Sequence, residues 1–168
     1  MPSSIPTASA DVVHAVAAGV SRLVAGRLTA PEREAQLDQL AALYAEQTDV
    51  RHPFAPLGDR PLRSRADLRE HFAQADAQTR GAGRFEPVGT IVHTTGDPEV
   101  VVVEFAYAVV AGGRHYTIPC IFVVRVRDGQ IIESRDYTDH VAMARAFGRL
   151  DSLAGALLAS ADRPATPE

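Results

Sequence analysis

Between Phe85 and Thr138 the chain reads as four long runs of strand-forming residues: Phe85–Thr94, Glu99–Ala111, His115–Arg127 and Gln130–Thr138. Gly96-Asp97-Pro98, Gly112-Gly113 and Asp128-Gly129 interrupt them, each suited to an antiparallel turn. A meander of this kind buries one face and needs something to cover it. The first half of the chain supplies helices. From Ala10 to Ala25, Val12, Val13, Val16, Val20, Leu23 and Val24 recur at helical spacing. Thr29-Ala30-Pro31-Glu32 is a capping box with proline in the first turn, opening a helix striped by Leu37, Leu40, Leu43 and Tyr44. Ser64-Arg65-Ala66-Asp67 starts a third helix, which carries Leu68, His71 and Phe72. Asp49–Arg63, rich in proline and glycine, is expected to be a short strand and a loop. One last helix should follow, with Val141, Met143, Ala144, Phe147, Leu150 and Leu157 as its apolar residues. Helices first and a meander after predict an α+β fold, with helices covering one side of a curved sheet.

With 168 residues and no internal linker, the chain is expected to form one domain over 9–160, with loose ends at 1–8 and 161–168. A net charge of −4, with both signs mixed along the sequence, argues against a nucleic-acid partner. No apolar run reaches the ~18 residues a membrane helix needs, so no membrane partner is expected. The start lacks a basic and then apolar leader, and the single Cys120 leaves no internal disulfide; a cytoplasmic protein is expected. The six histidines, at 14, 52, 71, 93, 115 and 140, form no i, i+4 pair, and no glycine-rich loop joins a strand to a helix. Neither a metal nor another cofactor is therefore expected.

The segment Asp128–Asp139 holds the leading candidate. Alternation should put Ile132, Ser134 and Asp136 on one sheet face and Glu133, Arg135 and Tyr137 on the other. A carboxylate among apolar neighbours either lines a polar cavity or is paired, here with Arg125 or Arg135. Desolvation in a cavity would raise its pKa and make Asp136 a proton shuttle. His71 could exchange a proton with it or donate to a substrate oxygen; the plainer reading is a histidine satisfied by a backbone carbonyl. His52, held extended by Pro53, could contact a ligand or simply end a strand. Tyr107 and Tyr116 are candidates for a pocket wall. Glu104, alternating away from Val101, Val103, Phe105 and Tyr107, could meet solvent, a partner copy or the pocket.

The ordered set LAALYAEQTDVRHPF, SRADLREHF and DGQIIESRDYTDHVAMARAFG resembles the SnoaL-like group of the nuclear transport factor 2-like superfamily, over about Val12 to Leu150. The resemblance implies a cone: a strongly curved mixed or antiparallel sheet wrapped around the N-terminal helices, with a pocket in its open end. Asp136 matches the catalytic aspartate of limonene epoxide hydrolases in their RDY tripeptide. Their arginine and second aspartate fall at Val103 and Phe105, and their asparagine at His52, which argues against epoxide hydrolysis. His52 also stands where ketosteroid isomerases place their base. The phenazine-biosynthesis A/B proteins resemble this chain locally, His71 and Asp136 matching their histidine and acidic residue.

The resemblance implies cofactor-free acid–base chemistry, namely isomerisation, cyclisation or dehydration, on a small hydrophobic oxygenated molecule. Asp136 and His71 would be catalytic, and His52, Tyr107, Tyr116, Phe72 and Phe122 would bind the ligand. The alternative is a non-catalytic binding or dimerisation module of the same fold, its interior plugged by Phe72, Phe85, Phe105 and Phe122. Relatives also suggest a homodimer.

Overall fold

Strict alternation in the fourth strand sets the inside and outside of the molecule. Val101, Val103, Phe105, Tyr107 and Val109 are buried while Glu104 between them is exposed. One face of that strand therefore meets the helices and the other meets solvent. The computed structural model describes residues 8–25, 27–79 and 82–161. The segments expected to be loose lie, but for Ala8 and Ala161, outside the described residues.

Three helices, α1 (Ala8–Val24), α2 (Ala30–Ala42) and α3 (Arg65–Thr79), pack on one face of a six-stranded curved sheet. Its strands are β1 (Tyr44–Arg51), β2 (Leu62–Ser64), β3 (Arg84–Thr94), β4 (Val100–Ala111), β5 (Arg114–Arg127) and β6 (Gln130–Thr138). The spatial order is β2-β1-β6-β5-β4-β3. Only β1 and β6 pair parallel, which makes the sheet mixed. This is the expected α+β architecture. Among the described residues no helix is long and apolar enough to cross a membrane.

Both expected helix starts are built from their own side chains. The Glu32 carboxylate accepts from the Thr29 N–H at 2.8 Å, and the Asp67 carboxylate accepts from the Ser64 N–H at 3.0 Å. Each satisfies a donor that the helix start would otherwise leave open. Gly19 lets α1 approach α2 closely, since a Cβ there would stand 2.5 Å from Leu40 Cδ2.

Three expectations are corrected. Tyr44 belongs not to the α2 stripe but to β1, where it is buried against Phe72 with ring centroids 5.9 Å apart. The last helix is two, α4 (His140–Ala146) and α5 (Leu150–Ala161), broken where Gly148 turns to φ +66°. Ile132 does not share the face of Ser134 and Asp136. Arg125 pairs with Glu133 and Val126 with Ile131, so Ile132 is the extra residue of a β-bulge and Ile131 becomes buried in its place.

Candidate functional site

An inner cavity of about 200 Å³ opens between the helices and the concave sheet face. Tyr44, Phe72, Tyr107 and Phe122 form its apolar wall, and Asp136, His52, His71 and His140 its polar side. An outer vestibule of about 580 Å³, floored by the 55–62 loop and α3, shares His52, His71 and His140 with it. The three imidazoles thus stand where the two spaces meet.

Each side chain is delivered by a recognisable device. Asp136 is two residues beyond Ser134 on β6, below the bulge, so both face inward. His52 directly follows β1, and its backbone N–H donates to Asp59 Oδ1 at 2.9 Å, tying the loop to the strand end. His71 comes from the middle of α3, one turn after the buried Leu68. His140 opens α4, fixed by the Asp139 cap whose carboxylate accepts from the Ala142 N–H at 2.8 Å.

Among the described residues no arginine pairs with Asp136. Arg135, turned outward, donates to Asp49 Oδ2 at 2.8 Å, and Arg125 reaches Asp97 at 2.8 Å and Glu99 at 3.1 Å. Instead, Ser134 Oγ donates to Asp136 Oδ1, and His52 Nε2 lies 4.0 Å from Oδ2. That separation is beyond a hydrogen bond. Burial pushes the carboxyl up to about 7, against smaller opposing effects from Ser134 and Arg135. Burial likewise drives His71 down to about 4, helped by neighbouring His52 and His140. His52 and His140 are also lowered, mainly by desolvation. Near neutrality the site therefore holds neutral imidazoles beside a carboxyl that can take either form. His52 and Asp136 are neighbours in this state rather than an ion pair.

The His52 and His71 rings lie 4.9 Å apart at 32°. Neutral rings in this arrangement can each present one N–H to an oxygen atom in the cavity. Buried Tyr44 and Tyr107 have phenol pKa values raised by desolvation, so they stay protonated. Cys120, pushed up to about 12 by burial, is an inert thiol. Among the described residues, no group of three or more His, Cys, Asp and Glu side chains is arranged to hold a metal ion.

The structure brings Asp136, His71, His52, Tyr107, Phe72 and Phe122 to one cavity. Tyr116 is elsewhere: opposite Val109 near the Gly112-Gly113 turn, it lines a separate groove with Ala82, Arg145 and Phe147. The interior is not plugged. Phe85 and Phe105 pack beneath the cavity against Tyr107, with centroids 4.3 and 5.1 Å away, and leave the space above open. Glu104 lies on the outer face, 3.0 Å from His93 Nε2. His140 and Arg149, which sequence reasoning did not single out, also border the cavity. The signal that could have found His140 is its place directly after the Asp139 cap, two residues beyond the strand that carries Asp136.

A model of the SnoaL-like domain matches residues 20–134. No curated protein sequence matches the chain significantly. Solved structures of similar fold include a candidate isomerase from Bacillus subtilis, 20% identical, covering 84% of this chain and 94% of its own, with a TM-score of 0.66. Another is IdmH, a candidate polyketide cyclase from Streptomyces antibioticus: 18% identity, 83% and 98% coverage, TM-score 0.60. A third is a protein of ketosteroid isomerase-like fold from Catenulispora acidiphila, solved with trimethylamine: 18% identity, 82% and 92% coverage, TM-score 0.59. At these identities the likeness concerns the fold. The family match spans more than half of the sequence, and the chain belongs to the SnoaL-like domain family.

Proposed function

We propose that this protein performs cofactor-free acid–base chemistry on a small hydrophobic molecule bearing a carbonyl or hydroxyl oxygen. The observation that carries the reading is Asp136: a buried carboxyl facing a cavity, without an arginine partner among the described residues, and pushed up to about 7. As carboxylate it takes a proton from the carbon beside a substrate carbonyl. The electron pair moves onto the carbonyl oxygen, which accepts a hydrogen bond from a neutral imidazole of His52 or His71. Where a double bond adjoins that carbon, the protonated Asp136 returns the proton at the far end of the dienolate, giving isomerisation. Alternatively the enolate attacks a second carbonyl and closes a ring, the alkoxide so formed takes the proton from Asp136, and loss of that hydroxyl with a further α-proton, as water, completes a dehydration. The cyclase and isomerase descriptions of similar structures accord with this class. A positioned acid–base group contributes roughly 10²–10⁴-fold.

The test uses 2-tetralone, an apolar ketone, in deuterated buffer at pD 8, with loss of its α-proton signal followed by NMR. The protein should accelerate exchange above buffer, and Asp136→Asn should remove about 10²-fold or more of it. Exchange no faster than in buffer, or equal in the variant, sinks the reading.

A second copy is the protein partner that the outer sheet face suits. Ile91, Glu104, Ile121 and Tyr137 lie in one row across four strands, with Ile91 54% and Ile121 42% exposed. Light scattering should give a homodimer, and Ile121→Arg a monomer; a monomeric parent protein contradicts this.

A further inference from the structure

Arg149 borders the inner cavity beside Gln78 and Thr79, outside the ion pairs that hold several of the other arginines. Arg33 pairs with Asp76 at 2.6 Å, Arg69 with Glu34 and Asp38, and Arg125 and Arg127 with Glu99. Among the described residues Arg149 is the arginine that borders the inner cavity, and no carboxylate pairs with it. Its Nη1 donates to Gln78 Oε1 at 2.7 Å, and its guanidinium carbon stands 5.8 Å from the centre of the Phe147 ring. Its Nε is buried and meets no acceptor among the described residues. With Nη1 committed to Gln78 and the group beside a ring, the Nε–Nη2 edge is left uncommitted, and that is the edge that receives a carboxylate through two parallel hydrogen bonds.

A second observation points the same way. His140 Nε2 is the other buried side-chain polar atom without a partner among the described residues, and it borders the same cavity. The two residues bracket α4, one opening it and one following its end. Along a helical path of that length they stand on the order of 10 Å apart. Buried donors and acceptors are nearly always satisfied, so one ligand with a polar group at each end accounts for both atoms.

We propose that Arg149 is a substrate-binding residue that gives the cavity a carboxylate-selective end, so that the molecule presented to Asp136 is a hydrophobic acid of about two rings. This rests on the cavity being the reaction site. The chain as a whole carries a net charge of −4 and does not attract anions, which leaves the selectivity to this one side chain.

The experiment compares binding of 2-naphthoate and its uncharged isostere 2-naphthamide by calorimetry, on the full chain at pH 6.5. The parent protein should bind naphthoate about tenfold or more tightly than naphthamide. Arg149→Gln should abolish that preference while leaving naphthamide binding within about twofold. Arg149→Lys, which keeps the charge but loses the two-bond edge, should retain only part of it. Naphthoate binding that is undetectable or no tighter than naphthamide binding, or a preference surviving Arg149→Gln, overturns the proposal. No turnover is read, so the outcome is separable from the acid–base reading. A naphthoate preference with no tetralone exchange would retain the subsite and discard the chemistry; the reverse would discard the subsite alone.

Discussion

Replacing Asp136 by asparagine should stabilise the protein, and increasingly so as the pH rises. The carboxyl has an ordinary value of 3.8 and is pushed up to about 7 in the fold, chiefly by desolvation. Between those values the folded chain holds a proton that the unfolded chain has released. Stability contributed by this group is complete below pH 4 and is lost as the pH climbs through 7. At 1.36 kcal/mol per pH unit, the gap of about three units corresponds to about 4 kcal/mol. Relaxation and water entry at the cavity reduce the penalty, so about 2–4 kcal/mol is expected above pH 8. Asparagine keeps the shape and an oxygen to accept from Ser134, so the packing is preserved. Urea unfolding of both proteins from pH 4.5 to 9 measures the difference, in which the histidine contributions cancel. The variant should exceed the parent by no more than about 1 kcal/mol at pH 4.5 and by the full plateau value above pH 8. A difference independent of pH, or destabilisation at pH 8, would refute the reasoning.

The histidines give the opposite slope. His71 falls from 6.5 to about 4 on burial, so its contribution is present above pH 6.5 and lost as the pH drops toward 4; His71→Asn should remove up to about 3 kcal/mol of that acid lability, read from urea midpoints at pH 4.5 and 7. Asp139→Ala removes the cap of α4 and should cost about 1 kcal/mol by thermal melting, with weaker naphthamide binding because His140 is no longer held. Glu104→Gln should leave tetralone exchange unchanged, since that side chain is on the outer face with His93; a large loss would mean the reaction site has been misplaced.

Much of the site was legible because β-strand parity needs only a few residues. Ser134 and Asp136 face inward as alternation from the Asp128-Gly129 turn requires, and His71 falls one turn after a core leucine. What could not be read was set by interruptions of the period. The bulge at Ile132 reverses the parity of the strand's first half, and its cause is the partner register, which no local pattern encodes. Gly148 breaks the last helix and turns Arg149 back toward the cavity, whereas an unbroken helix would carry it elsewhere. Tyr116 does face the helices, but its distance along β5 from Asp136 depends on the hairpin register, so it lines another groove. Tyr44 was misread because an apolar stripe running past a helix end continues smoothly into a strand that buries its first residue.

The central claim, that Asp136 is an inward carboxyl able to change protonation at working pH, is tested most directly by its own titration. Side-chain ¹³C NMR of the full chain, with the Asp136 carboxyl assigned by its absence from Asp136→Asn, follows one resonance from pH 4 to 9. A midpoint near 7 supports the proton shuttle. A midpoint below 5 would mean a permanently ionised, well-solvated aspartate, and the acid–base account would fail with it.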